Sequence, residues 1–239
     1  APAAMSLVDA SGADGELARV LRIRVPDLAA YQDLALAKRY LDAVMRVARA
    51  ERAAGADGRR LAVAVARNLY KLMAYKDEYE VARLHLDPEL ARRVEEQFGP
   101  GSTVRYMLHP PLLRAMGLGK KVALGRTARP AFHALRAMRR LRGTPLDPFG
   151  ATAQRRTERR LVTGYVAVLN ELVAGLDAGL TTDRHDLAVR IAELPDMIRG
   201  YEEVKTANVA RYEESLRELL AAWRAAAGSN PVRGAARTS

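Results

Sequence analysis

Apolar residues recur along this chain mostly at helical spacing. After a short amphipathic piece, Glu16 to Val25, Pro26 suits the first turn of a helix, where its missing N–H costs nothing. Leu28, Tyr31, Ala35, Leu41, Met45 and Ala48 then form one stripe, ending near Gly55. A second long helix is predicted from about Arg59 through His85. Asp87-Pro88 breaks it, because the residue before proline avoids helical angles. A short helix, 88–98, ends at Gly99-Pro100-Gly101. Residues 103–108 alternate polar and apolar as a strand does, and 121–124 is a candidate partner, so a small β-hairpin insertion is expected at about 103–125. Helices resume at 129–141. Beyond the turn-rich 143–150, a long one runs to about Leu176 with the stripe Leu161, Tyr165, Val168, Leu169, Leu172, Val173 and Leu176. Asp183 reads as the N-cap of the next helix, which stops before Pro195. The last helix is predicted from about Tyr201, through Val204, Tyr212, Leu216, Leu219 and Trp223, to Gly228. The expected fold is mainly α: a multi-helix bundle of six or seven helices with one small hairpin insertion. It forms a single helical domain at 16–227, between a flexible leader at 1–15 and a disordered tail at 228–239.

Length and composition leave this picture intact. A single domain of 239 residues buries roughly 70–75% of its unfolded surface. No run of about 18 apolar residues exists, so no membrane-spanning helix is expected. The start, APAAMSLVDASGADG, lacks the basic and apolar regions of a signal peptide and has no initiator Met, which fits a processed end or a piece of a longer chain. There is no cysteine, which removes disulfides, thiolate catalysis and Cys-ligated iron–sulfur clusters from this chain and fits a cytoplasmic protein.

Charge changes the picture more. The net charge is +11, from 39 basic and 28 acidic residues. Residues 105–160 hold 14 basic and 2 acidic side chains, so all of the excess lies there. Arg139, Arg140, Arg142, Arg155, Arg156, Arg159 and Arg160 are the candidate interaction face. The last four share one side of a helix, where like charges repel and an acidic partner or counter-anion would relieve the cost. A solvated surface is the plainer reading. Nucleic acid is not expected as a partner, since Tyr106, Phe132 and Phe149 are the block's only aromatic residues available for stacking, and no recognised reading module is present.

Catalytic patterns are missing. His85, His109, His133 and His185 form no His-x-x-x-His pair, and no Gly-x-Ser-x-Gly elbow occurs. Met116-Gly-Leu-Gly-Lys-Lys121 lacks the first glycine and the Ser/Thr of a phosphate loop. Asp77, Glu78 and Glu80 could supply a carboxylate pair, yet their spacing equally suits helix ion pairs. They lie in the stretch 68–85, whose centre, 76–80, packs four charges into five residues. Two apolar lines run along that stretch as a helix, so partners cover it on more than one side and its charges must reach water or pair. Lys76 with Glu80, and Glu80 with Arg83, have the spacing for structural ion pairs.

Three segments carry a resemblance. YKLMAYKDEYEVARLH (70–85), RGTPLDPFGATAQRRTERRLV (142–162) and IRGYEEVKTANVARYEE (198–214), with the lead-in AYQDLALAKRY (30–40), resemble the C-terminal helical region, a domain of unknown function, of indolepyruvate ferredoxin oxidoreductase and related fused 2-oxoacid:ferredoxin oxidoreductases. The resemblance spans roughly residues 16–225. It implies a parent assembly that decarboxylates 2-oxoacids oxidatively to acyl-coenzyme A, using thiamine diphosphate, Mg²⁺ and iron–sulfur clusters bound in other domains, and passing electrons to ferredoxin. No catalytic, cofactor-binding or metal-ligating residue of that family can be placed on this chain. The expected role is therefore accessory: packing against catalytic domains, with the basic block facing one of them or ferredoxin. A stand-alone module for an anionic ligand such as coenzyme A, or for an acidic protein, is the alternative.

Overall fold

The computed structural model describes residues 2–56, 58–99, 106–108, 122–124, 129–176, 180–200 and 202–228. Among them the protein is mainly α-helical: α1 (Pro2–Asp9), α2 (Gly15–Tyr31), α3 (Leu34–Ala53), α4 (Arg60–Met73), α5 (Glu78–His85), α6 (Pro88–Phe98), α7 (Arg129–Met138), α8 (Ala153–Leu176), α9 (Thr182–Glu193) and α10 (Glu202–Gly228). Single 3-10 turns, Arg139–Leu141 and Leu194–Met197, extend α7 and α9. Two three-residue segments, β1 (Tyr106–Leu108) and β2 (Val122–Leu124), pair antiparallel with Tyr106 opposite Leu124. The rest of the expected hairpin, the glycine–lysine turn at 116–121 and the tail from 229 on lie outside the described residues.

Among the described residues ten helices stand where six or seven were expected, for three local reasons. The leader is helical: Ala4 and Val8, four residues apart on α1, are buried in the core, although the Ala/Gly/Ser content of 1–15 suggests flexibility. The helix expected to start at Pro26 instead runs through it. The break comes at Asp33, whose carboxylate accepts the Leu36 N–H at 2.7 Å and caps α3. An interior proline costs about 3 kcal/mol, which the full burial of Val25, Leu28 and Tyr31 on the same helix offsets. The third break divides the predicted helix 59–85. α4 stops at Met73, and Asp77 starts α5 by accepting the Glu80 N–H at 2.8 Å. One cap is also reassigned. Thr181, not Asp183, accepts from the first turn of α9, and Asp183 sits inside that turn.

The core lies where α2, α3, α4, α8 and α9 meet. Leu21, Val44, Leu61, Val65, Leu169 and Ile191 are fully enclosed there. The α8 stripe is buried at Leu161, Tyr165, Val168, Leu169, Leu172 and Leu176. In the α3 stripe Ala35 is exposed, and in α10 Val204 is exposed while Tyr212 and Trp223 are buried. α4 is held at its start from outside: the buried Glu51 carboxylate of α3 accepts the Leu61 and Ala62 N–H groups at 2.8 and 3.0 Å, and His185 of α9 joins it at 2.7 Å. Three helices thus share one carboxylate that satisfies two otherwise orphaned helix donors.

A buried ionic layer as the candidate functional site

The non-helical residues 74–77 turn the chain so that Tyr75 and Asp77 point inward between α2, α8 and the turn after α7. Arg142 meets Asp77 there. Its Nε and Nη2 donate to the two carboxylate oxygens at 2.5 and 2.9 Å, and its Nη1 donates to the Tyr31 carbonyl at 2.8 Å. The guanidinium lies 3.6 Å from the centre of the Tyr31 ring, a cation–π contact, and the Tyr31 hydroxyl returns to the Tyr75 carbonyl at 3.0 Å. Both charged side chains are almost sealed from water, 4% and 2% exposed. Burial is the largest influence on Arg142 and opposes its charge, but the Asp77 hydrogen bonds together with the Asp77, Tyr31 and Tyr75 interactions hold the guanidinium above its ordinary range. Gly143, at φ +74°, lets the chain turn away directly afterwards, and its N–H is bound by Asp147 at 2.9 Å. The Tyr79 hydroxyl reaches the same carboxylate at 2.8 Å, which ties α5 to the 143–150 turn.

A second cluster continues the layer. Arg155 of α8 donates to Glu158 at 2.5 Å and to Glu78 at 3.2 Å, and Lys205 of α10 donates to Glu158 at 2.7 Å. Desolvation works against Arg155, yet the Glu158 and Glu78 charges prevail and raise its pKa. A third cluster faces α2. Arg83 bridges Glu80 at 2.6 Å and Asp27 at 3.1 Å, and Asp27 also accepts a short hydrogen bond from the Tyr70 hydroxyl. Burial, helped by that bond, pushes Tyr70 up to about 12.

These contacts divide the expected interaction face. Arg142 and Arg155 are internal structural cations rather than surface groups, because each is surrounded by carboxylates and aromatic rings. Arg159 is half-buried and donates to the Gly150 carbonyl, Arg156 donates to the Ala151 carbonyl, and Arg160 pairs with Glu213 at 3.0 Å. Repulsion within this arginine group is thus answered from inside the chain. Arg139 is half-buried and Arg140 exposed. Of the expected ion pairs, Glu80 with Arg83 forms. Lys76 is exposed and makes no pair with Glu80, since the break at 74–77 removes the helical spacing that would bring them together. Asp77, Glu78 and Glu80 diverge to three different cations and form no carboxylate pair for acid–base work. Sequence reasoning missed Asp27, Tyr31, Glu51 and Lys205 as members of these networks. The Asp77-x-x-Glu80 spacing was a legible helix-start signal.

Two further features bear on function. A groove of about 900 Å³ opens between α2, α4 and the end of α9, lined by Arg19, Ile23, Arg24, Arg67, Lys71 and Asp196 among others. Most of its cations are already engaged: Arg19 and Arg67 by Glu16, Lys71 by Asp196. Among the described residues no group of His, Asp or Glu is placed to hold a metal ion, and no helix is long and apolar enough to cross a membrane.

Comparison with known proteins finds a family model over residues 17–218, described as a family of unknown function (DUF6537). No curated protein and no solved structure matches the chain.

Proposed function

We propose that this chain, which belongs to the DUF6537 family, is an accessory packing domain of a 2-oxoacid:ferredoxin oxidoreductase assembly of the indolepyruvate type. One observation carries the reading. The three segments on which the resemblance rests, with the lead-in, meet in a single ionic layer: Tyr31 and Asp77 with Arg142, Glu78 with Arg155, Glu158 with Lys205. The acids and bases of this layer, Asp77, Arg142, Glu78, Arg155 and Glu158, are engaged with one another and are largely withdrawn from solvent. A segment set of this kind specifies a shape, and a shape serves docking. Thiamine diphosphate, Mg²⁺ and the iron–sulfur clusters then belong to the partner domains.

The test is co-purification of the full chain with the thiamine- and cluster-bearing domains. Stoichiometric association, with the purified chain alone colourless and inert toward 2-oxoacids, is the expected result. A chain that stays apart from those domains, or that turns over 2-oxoacids by itself, overturns the proposal.

A second reading, a module for a small anion such as coenzyme A, draws on the open groove and on Arg24, which stacks 4.2 Å above the Tyr70 ring. A rise in melting temperature with added coenzyme A, abolished by Arg24→Ala, would favour it.

A further inference from the structure

We propose that α7 and the 3-10 turn that extends it carry a docking line for an acidic protein surface: the exposed cations Arg129, Arg136 and Arg140, with His133 among them. Their spacings of four, three and four residues place them along one face of the helical segment. All four side chains are exposed, while Phe132 is buried and meets the His85 ring of α5 edge-on at 5.3 Å. α7 therefore packs on α5 through Phe132 and leaves the basic line exposed beside that contact.

What distinguishes this line is that its cations stand in a row, without carboxylate partners, in a stretch of sequence that holds no acid. Some exposed arginines elsewhere have carboxylate partners, as Arg22 with Asp9, Arg60 with Asp186, Arg199 with Asp196 and Arg224 with Glu171, while others, such as Arg39, Arg190 and Arg217, have none among the described residues and stand outside any such row. Among the described residues Arg129, Arg136 and Arg140 have none. Nor can neighbouring sequence supply one, because no Asp or Glu occurs between Glu96 and Asp147, a stretch holding ten Arg and Lys. The cluster already repels itself. Arg139, wedged behind the line, has its pKa pulled below the ordinary arginine range by burial and by the charges of Arg136, Arg140 and Arg142. An opposing row of carboxylates would relieve that repulsion. A protein surface fits better than nucleic acid, because Phe132 is turned inward and no tyrosine, phenylalanine or tryptophan stands on the line to stack a base. The inference rests on the accessory-domain reading for the identity of the partner, though not for its charge.

The experiment compares the full chain with R129E/R136E/R140E and with a control, Arg217→Glu, which reverses an exposed cation on α10. Association with the thiamine- and cluster-bearing domains is measured across a salt series, beside retention on immobilised poly-L-glutamate and on a DNA duplex of matched charge. The triple variant is expected to keep its melting temperature, to lose on the order of tenfold or more in association rate, and to show a flatter salt dependence. The control should behave as the parent chain. If the parent chain ignores the oxidoreductase domains but poly-L-glutamate holds it and releases the triple variant, the accessory reading falls and the docking line stands. Equal binding of parent and triple variant to the domains and to poly-L-glutamate, or preference for the duplex, overturns the docking line.

Discussion

Arg142 and Asp77, 65 residues apart in sequence, form a two-pronged ion pair almost sealed from water, and the same guanidinium covers the Tyr31 ring. Desolvating two such charges costs several kcal/mol each, so the pair is tolerable only because both carboxylate oxygens are bonded and the remaining guanidinium nitrogen donates to the Tyr31 carbonyl. Removing one partner strands the other. Arg142→Ala or Asp77→Ala should each lower stability by about 3–5 kcal/mol, read from urea unfolding. The double variant should cost less than the sum of the singles, which a double-mutant cycle measures directly.

Glu51 holds three helices together. Glu51→Ala leaves the Leu61 and Ala62 N–H groups and the His185 ring without their acceptor. An unmade buried hydrogen bond costs about 1–3 kcal/mol. A loss of about 3 kcal/mol or more is expected in thermal unfolding, with Glu51→Gln milder because its carboxamide oxygen still accepts one bond.

Space rather than charge governs Gly175. A methyl group there would lie 2.5 Å from Cζ2 of Trp223. Alanine would gain about 1 kcal/mol in helix propensity, but overpacking against a buried indole costs typically about 1–3 kcal/mol. Gly175→Ala should therefore be net destabilising. Because Trp223 is the only tryptophan, its fluorescence maximum should move as the ring is displaced.

Burial, and then the Lys76 charge, lower the pKa of His85 from its ordinary 6.5. In the unfolded chain the imidazole takes up its proton at higher pH than in the folded one. Between those two values the unfolded state binds more protons, so stability rises with pH there and falls on acidification. The stabilising neutral form is fully present above about pH 6.5 and is lost as the pH drops through the lower folded value. Chemical denaturation between neutral and mildly acid pH should show a steeper loss for the parent chain than for His85→Leu.

Lys76 supplies the contrast. It is exposed and outside the ionic layer, so Lys76→Ala should change stability by no more than about 0.5 kcal/mol, although four of its five-residue run are charged.

Residue spacing by itself determined that the chain is mainly helical, which face of α8 turns inward, and that the charges of 76–80 must reach water or pair. These depend on periodicity and on the local cost of burying charge, both of which act over a few residues. The break at Asp87-Pro88 and the stop at Gly99 were also legible, but tertiary structure decided the breaks before α3 and α5 and which charge meets which. Asp33 and Asp77 act as caps because packing bends the chain there, and the α1 leader is ordered because α2 and α3 cover Ala4 and Val8. The arginine block looked like one surface because its members are close in sequence. The fold takes Arg142 and Arg155 inward, since carboxylates from α5 and its cap lie opposite them, and leaves Arg129, Arg136 and Arg140 outside with none. Ion pairing is a contact across space with no sequence period, so only the arrangement of the helices could sort structural cations from those left free to meet a partner.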